Sequence, residues 1–394
     1  MKRRICMVAY TYYLSDARVR REAETLASVP EFEVSVLALK GTNAHPRSYR
    51  RDGVEVRELN TDKYRGKSNL RYLLSYVKFT LLALAACTSL LIRNSLDVVH
   101  IHNMPNFLIF SAIGPLIFGK KVILDIHDTM IETYDAKFRG EPSKLLFYLL
   151  RCEELLCCAL AHRIICTNDM QREALIGRRI PADKVLVSLN VPDPRRFHAS
   201  KSNVTAREGN SFRLVYFGTI ARRLGVDLAI RAVGNVNWSI SGLEFHIIGG
   251  GDDLRECIEL SKELGIDRTV HFYERALPLE DLVRALDGMD LGLVPNRKNA
   301  ATELMLPVKM LECVALGIPV VAPRLRTIEH YFSEESVFYF APDDVDSMSR
   351  AILEAFADEA LRKRKAENAR GFLRTYQWET HKLGLLNLYN SLAS

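Results

Sequence analysis

Short runs rich in valine and isoleucine alternate with longer segments of helical period along most of the 394-residue chain. Strands buried on both faces of a parallel sheet have this composition, and each needs a crossover, usually a helix, before the next parallel strand. One set of runs extends from RICMVAY to KVLVSLN, and a second set extends from FRLVYFG to SVFYFA. The pattern predicts an α/β chain with two tandem Rossmann-like, doubly wound domains that face a cleft.

A polar segment rich in proline and basic residues, NVPDPRRFHASKSNVTAREGNSF, separates the two sets of runs. Loss of the apolar period over such a stretch is typical of a connection between domains. We therefore predict a first domain over residues 1–195, a linker over 196–211, a second domain over 212–375 and a C-terminal helix over 376–394.

The charge of the chain is concentrated in its first half. Residues 1–200 carry 30 Lys and Arg against 21 Asp and Glu, a net charge of +9, whereas the remaining 24 against 27 give −3. A basic field of this size attracts anionic partners in general, so by itself it does not select between nucleic acid, an anionic membrane and a phosphorylated acceptor.

The longest uncharged segment runs from Phe79 to Ile92 and is shorter than the roughly 18 to 20 residues that span a bilayer. It predicts a core helix or a membrane-surface helix. The N-terminal MKRRICMVAYTYYL has only a short apolar run and no convincing cleavage site, so we expect a buried strand there and not a signal peptide. Eight cysteines without metal-binding spacing predict buried, reduced thiols and a cytoplasmic protein.

Polar residues gather where predicted strands end, which is where open parallel sheets bind their ligands. His100 and His102 close the run LDVVHIH, and His127 and Asp128 close KKVILDIHD. In the second half, the run LVYFG is followed by Arg222 and Arg223. This pair predicts either solvated surface or a clamp for a diphosphate, because a guanidinium presents a fork of donors to phosphate oxygens.

The run FHII is followed by three glycines, Gly249 to Gly251, which allow a close approach of the backbone to a ligand. They lack the G-x-G-x-x-G spacing of a dinucleotide site, so no nicotinamide or flavin fingerprint is present.

The segment LPVKMLECVALGIPVVAP predicts a short helix, Val308 to Leu316, that starts after Pro307 and is capped by Gly317. Lys309 lies in the first turn, where a cation is unfavourable to the helix dipole unless an anion is near. Glu312 lies close to the same face and suits the diol of a ribose. The alternative interpretation is a surface pair worth a few tenths of a kcal/mol.

This last segment resembles the donor-binding signature of glycosyltransferase family 4, the retaining nucleotide-sugar transferases of the GT-B fold. Further matching segments occur in the family's order over nearly the whole chain: SDARVRREAETLA, DVVHIHNMPNF, VILDIHDTMIETY, NVPDPRRF, VYFGTIARRLGVDLAIRAV and DLGLVP. The resemblance implies a nucleotide sugar on the second domain, an acceptor on the first domain and a last helix that crosses back to the first domain.

The resemblance also assigns residues to roles. It implies a catalytic set of His127, Arg223 and Glu303, in which Glu303 stands one position upstream of the family's usual first glutamate, a place held here by Leu304. The implied donor-binding set is Gly218, Arg222, Arg223, Gly250, Leu306, Val308, Lys309 and Glu312. The acceptor-side candidates are Tyr13, Asp16, His102, Asn103 and Asp128. Neither a metal nor another cofactor is expected.

The implied function is retaining transfer of a sugar from a UDP- or GDP-sugar to a saccharide or polyprenyl-diphosphate-linked saccharide, in the synthesis of a bacterial-type surface polysaccharide or glycoconjugate. We expect a cytoplasmic enzyme, peripheral on the inner face of the membrane, with no nucleic-acid partner. Two alternatives stay open: a non-catalytic sugar-nucleotide- or glycan-binding subunit, and a GT-B-like sugar-nucleotide epimerase.

Overall fold

The chain forms two compact units in the computed structural model, which describes residues 2–41, 47–64, 68–137, 143–197, 211–274, 277 and 279–392. The first unit contains Met1–Asn190 and Glu379–Ser394, and the second contains Val191–Trp378. Each unit is built on its own largely parallel sheet, which confirms the predicted fold class. Most of the predicted linker, 196–211, lies outside the described residues.

The described part of the first unit holds an eight-stranded sheet in the order β3-β4-β2-β1-β5-β6-β7-β8. Its strands are β1 Arg3–Ala9, β2 Phe32–Leu39, β3 Ser48–Arg51, β4 Val54–Leu59, β5 Val98–His102, β6 Lys121–Ile126, β7 Arg163–Cys166 and β8 Val185–Val187. Every pair is parallel except β3 with β4. Starting from β1, the chain adds β2 to β4 on one side and β5 to β8 on the other. The order of the strands therefore changes direction between β1 and β5.

Helices cover this sheet. In chain order they are α1 Ala17–Ala27, α2 Asn69–Ile92, α3 Ile113–Ile117, α4 Met130–Lys137, α5 Lys144–Leu160 and α6 Asp169–Gly177. Asp16 caps the start of helix α1, because its carboxylate accepts a hydrogen bond from the Val19 amide at 3.1 Å. This cap satisfies an amide that the helix itself leaves free.

The second unit holds a six-stranded parallel sheet in the order β11-β10-β9-β12-β13-β14. Its strands are β9 Phe212–Phe217, β10 Leu243–Ile248, β11 Val270–Tyr273, β12 Leu291–Leu293, β13 Val320–Pro323 and β14 Phe338–Phe340. Its helices are α7 Val226–Val236, α8 Leu254–Glu263, α9 Leu279–Leu286, α10 Ala300–Glu303, α11 Val308–Leu316, α12 Arg326–Tyr331, α13 Val345–Ala357 and α14 Glu359–Thr375. The strand order reverses between β9 and β12, which favours a ligand site at their carboxyl ends.

The last helix, α15, spans Trp378–Ser391. Apart from Trp378, its residues belong to the first unit. Leu385, Leu388, Tyr389 and Leu392 are buried in the same apolar cluster as β1 and β2. The hydroxyl of Tyr389 lies 2.8 Å from Nδ1 of His100 on β5. The C-terminal helix is thus part of the core of the first unit.

Helix α2 is longer than the uncharged segment that predicted it. Leu70–Ile92 has a mean hydropathy of 1.7 and is, among the described residues, the one helix with the length and composition to cross a membrane. Phe79, Ala83 and Cys87 are nevertheless fully buried, because this stripe packs on the sheet. The exposed residues on the remaining surface are largely apolar: Leu70, Leu73, Leu74, Val77 and Leu81.

Candidate functional site

A cavity of about 430 Å³ lies in the second unit, where the loops after β9 and β10 meet the start of α11. Six residues of the predicted donor-binding set line it: Gly218, Arg223, Gly250, Val308, Lys309 and Glu312. Arg222 and Leu306 are not among its lining residues, and Leu306 is buried. The volume is in the range of small-molecule sites.

Lys309 is held in this cavity by an aromatic partner. Its Nζ donates a hydrogen bond to the Tyr216 hydroxyl at 2.8 Å and lies 3.9 Å from the centre of the Tyr216 ring. The same hydroxyl donates to the carbonyl oxygen of Thr219 at 2.5 Å. Burial lowers the pKa of Lys309 to about 7, because the ammonium loses hydration, and the nearby Glu312 offsets only part of this effect.

Glu312 lies one helical turn further along α11. Burial raises the pKa of its carboxyl to about 8, and the positive charge of Lys309 opposes that shift. Both side chains are half-buried at the cavity and not spread on open surface. The arrangement therefore argues against the alternative of a solvated surface pair.

The glycines around the cavity serve backbone packing. Gly249 has a φ of +149°, and a Cβ on it would lie 1.9 Å from the carbonyl oxygen of Gly218. A Cβ on Gly251 would lie 2.0 Å from the carbonyl oxygen of Ile220. Gly250, in contrast, has only an ordinary contact. Gly249 and Gly251 thus let the loops after β9 and β10 approach each other. Close approach to a ligand, the role predicted from sequence, does not by itself account for these two glycines.

The adjacent residues Arg222 and Arg223 line two different cavities. They lie in a single 3₁₀ turn, Arg222–Leu224, after which Gly225 adopts a left-handed conformation and α7 begins. Arg223 lines the cavity. Arg222 instead lines a second groove of about 250 Å³ together with Asp227, Asp253 and other acidic residues. The structure brings one arginine, not both, to Lys309 and Glu312.

Asn296 was not among the predicted site residues. It lines the cavity and is fully buried, and neither Oδ1 nor Nδ2 makes a hydrogen bond to any described residue. A buried amide without a hydrogen-bond partner destabilises the folded protein, so the side chain of Asn296 is suited to bind a ligand that supplies one. The sequence signal was a polar residue directly after the apolar run LGLVP at a strand end.

Glu303 is not one of the residues that line the cavity. Its carboxylate accepts a hydrogen bond from the Arg326 amide at 2.7 Å, at the start of α12, and pairs with Lys298 at 3.3 Å. Its predicted catalytic role stays a prediction.

In the first unit, Asp125 is the centre of the polar residues at the ends of β5 and β6. It accepts two hydrogen bonds from Arg18, at 2.8 and 2.9 Å, and lies 3.1 Å from His102 and 3.0 Å from His127. Burial would raise the pKa of this carboxyl, but the charges of Arg18 and His127 hold it well below its usual range. Burial would lower the pKa of His127, but the Asp125 carboxylate raises it above its ordinary value.

Asn103 positions the loop that carries His127. Its Oδ1 accepts a hydrogen bond from the His127 amide at 2.7 Å, and its Nδ2 donates to the Asp128 carbonyl at 2.8 Å. Tyr13 is buried in the apolar core of the unit, and Asp16 caps α1. The structure thus gives three of the acceptor-side candidates structural positions, and their role toward an acceptor stays a prediction.

Solved structures of known proteins share this fold. Sucrose-phosphate synthase from Thermosynechococcus elongatus aligns with a TM-score of 0.79 and 16% identity over 100% of both chains. Anabaena HepE in complex with UDP-glucose aligns with a TM-score of 0.74 and 14% identity over 98% of this chain and 100% of that chain. The two-unit architecture is therefore the GT-B fold of glycosyltransferases.

Two family models match the sequence. The model described as "Glycosyl transferase 4-like domain" matches residues 15–190, and the model described as "Glycosyl transferases group 1" matches residues 211–358. The lipopolysaccharide glucosyltransferase WaaG of Escherichia coli is 25% identical over 190 residues, 48% of each chain. The chain spans about half the length of the curated relatives it matches. It belongs to the family-4 type of GT-B glycosyltransferases, which confirms the resemblance.

Proposed function

We propose that this chain transfers a sugar from a nucleoside-diphosphate sugar to a hydroxyl of a saccharide or lipid-linked saccharide. The observation that carries this proposal is the cavity of the second unit, where Arg223, Lys309, Glu312 and the unpartnered amide of Asn296 converge. Cations suit a diphosphate, and a carboxylate suits a ribose diol. UDP-glucose is present in the complex of Anabaena HepE, which supports a nucleotide sugar as the donor.

The reaction that we propose proceeds with retention at the anomeric carbon. As the bond to the sugar breaks, negative charge grows on the diphosphate, and Arg223, Lys309 and the first amides of α11 stabilise it. The departing phosphate takes the proton of the attacking hydroxyl, so no separate general base is required. We propose that this leaving group needs no metal ion.

Two observations support the proposed acceptor, the name of a related protein and the charge of residues 1–200. WaaG is named as a lipopolysaccharide glucosyltransferase, which favours a saccharide acceptor in the synthesis of a surface polysaccharide or glycoconjugate. The basic character of residues 1–200 suits an acceptor that carries diphosphate. Both a UDP-sugar and a GDP-sugar remain candidate donors.

A panel of nucleotide sugars, each with and without saccharide and polyprenyl-diphosphate-linked acceptors, tests the proposal. We expect acceptor-dependent release of a nucleoside diphosphate from one donor. Conversion of the sugar nucleotide without an acceptor would instead show an epimerase. Binding of a sugar nucleotide without turnover under any condition would show a binding subunit, and either result would overturn the proposal.

We also propose that the protein works in the cytoplasm, attached to the inner face of the membrane. The first turns of α5 expose a continuous apolar run, Leu145–Leu149, and α2 exposes Leu73, Leu74, Val77 and Leu81. Exposed cations stand beside them: Arg71 and Lys78 on α2, and Lys144 and Arg151 on α5. Residues 138–142, which precede α5, lie outside the described residues. Apolar side chains flanked by cations are typical of surfaces that bind anionic lipids.

Vesicle sedimentation tests the membrane proposal. Binding to anionic vesicles should be strong at low salt and weaken as salt rises, because counterions screen the basic residues. Replacing Leu145 and Leu149 by serine should reduce binding, whereas replacing the similarly exposed Leu383 on α15 should not. Failure to sediment with anionic vesicles at low salt would remove the membrane proposal and leave the transferase proposal intact.

A further inference from the structure

The interior of the first unit contains polar atoms that make no hydrogen bond to a described residue. Glu22 on α1 and His100 on β5 are fully buried, and His102 on β5 is 1% exposed. Both carboxylate oxygens of Glu22 and the Nε2 atoms of both histidines make no hydrogen bond within the described part of the chain. Buried polar groups are almost always paired, so this group of four atoms needs an explanation.

The other ring nitrogen of each histidine is already held. Nδ1 of His102 lies 3.1 Å from Asp125, and Nδ1 of His100 lies 2.8 Å from the Tyr389 hydroxyl. Because an Asp125 carboxylate only accepts hydrogen bonds, it favours the proton of His102 on Nδ1 and leaves a lone pair on Nε2. Histidines that bind metals in proteins are oriented in this way, by a carboxylate or another polar group behind the ring.

The side chains that carry these atoms lie close together. His100 and His102 are two residues apart on one strand, so their rings share a face and stack with centroids 4.2 Å apart. Oε2 of Glu22 is 4.0 Å from Nε2 of His100, and one ligand atom each from Glu22, His100, His102 and Asp125 lie within 4.8 Å of one another. Zinc holds tetrahedral nitrogen and oxygen ligands roughly 3.4 Å apart, so these side chains would move closer together when the ion binds.

The charge of the region also favours a cation. Arg18 pairs with both Asp125, at 2.8 Å, and Glu22, at 3.3 Å. Two carboxylates therefore share one guanidinium, and the imidazole of His127 pairs with Asp125 alone. A divalent metal ion accepts a lone pair from a carboxylate oxygen and from each imidazole nitrogen at the same time.

We propose that Glu22, His100 and His102 form a buried binding site for a divalent transition metal, with a water in the fourth position and zinc the best match to two imidazoles and one carboxylate. Asp125 and Tyr389 orient the two histidines. The ion would therefore join α1 and β5 directly and α15 through Tyr389. It would stabilise the first unit and take no part in the transfer of the sugar.

Metal analysis of the protein tests this site directly. The full chain is purified without a metal-affinity tag, denatured, refolded with zinc and desalted, and its metal content is measured by mass spectrometry. We expect about one zinc ion per chain for the wild type and a loss of most of it in Glu22→Gln and His100→Gln. The matched controls are Glu24→Gln, on the same helix and paired with Arg20, and His162→Gln, elsewhere in the unit. Both should keep the ion.

A second measurement covers the case in which the variants fail to fold. The wild type is refolded with cobalt in place of zinc, since four-coordinate cobalt bound to imidazole absorbs strongly in the visible range. Such absorption, abolished by prior addition of zinc, is the expected result. Wild-type protein that binds no zinc and shows no cobalt spectrum would refute the site, and an ordered water or a proton would then satisfy these atoms.

Discussion

Replacing Lys309 by methionine should weaken the binding of a nucleoside diphosphate by an amount that depends on pH. A hydrogen bond between the ammonium and a phosphate is worth about 1.5–3 kcal/mol. The pKa of Lys309 is lowered to about 7 in the free protein. At pH 6 the wild type therefore already carries the charge, and the variant should lose the full amount.

At pH 8 the wild type must first take up a proton at Lys309, and this costs about 1.4 kcal/mol, since each unit of pH above the pKa is worth about that much. The ratio of the UDP dissociation constants of Lys309→Met and wild type should thus be about ten times smaller at pH 8 than at pH 6. Titration of the free ligand is common to both proteins and cancels in the comparison. Glu312, whose pKa is raised to about 8, also changes its charge in this range, so the comparison is repeated in a Glu312→Gln background.

Isothermal titration calorimetry with UDP at pH 6, 7 and 8 measures both quantities. Buffers with different ionisation enthalpies should also reveal proton uptake near pH 8 in the wild type, and less uptake in the variant. Lys262→Met, on the exposed end of α8, is the matched control and should change nothing. An affinity loss that is the same at all three pH values, or no loss at all, would refute the assignment of Lys309 to the phosphates.

Three further changes have expected results. At pH 9, where Glu312 is ionised, Glu312→Ala should weaken nucleotide binding by about 1.5–3 kcal/mol through the lost ribose bonds, with Glu312→Gln losing less, and unchanged affinity by calorimetry would make Glu312 a bystander. Transfer should survive a short incubation with EDTA, and a complete loss that magnesium or manganese reverses would contradict the metal-independent reaction. Gly249→Ala should destabilise the second unit by roughly 2–4 kcal/mol in chemical denaturation, because the new Cβ meets the Gly218 carbonyl at 1.9 Å. The control Gly265→Ala, which also has a positive φ but no atom within 4 Å of the new Cβ, should cost only about 1–2 kcal/mol, and equal losses would refute the packing role.

The strands of both sheets other than β3 were predictable from sequence, because burial on two faces demands continuous apolar runs. Helix Val308–Leu316 was predictable as well, since Pro307 and Gly317 mark its two ends. Strand β3, Ser48–Arg51, was missed because it is a short, largely exposed edge strand without an apolar run. Helix α2 extends well before the uncharged segment, because Arg71 and Lys78 lie on its exposed side and do not interrupt its buried stripe.

The polar contacts within each unit were less predictable, because they join residues far apart in sequence. Arg18 meets Asp125 across 107 positions, and Lys309 meets Tyr216 across 93. A single charged residue in an apolar strand, such as Asp125 in KKVILDIHD, was the available signal for the first contact. No local pattern indicates that Arg222 and Arg223 face different grooves, because this follows from the 3₁₀ turn that carries them.

A crystal structure of this chain with UDP tests the central claim most directly, namely that the cavity of the second unit binds the nucleotide of the donor. We predict that the ribose hydroxyls donate to Glu312 and that the diphosphate lies against Arg223, Lys309 and the first amides of α11. Nucleotide bound elsewhere in well-ordered density, with Lys309 and Glu312 making no contact to it, would contradict the account.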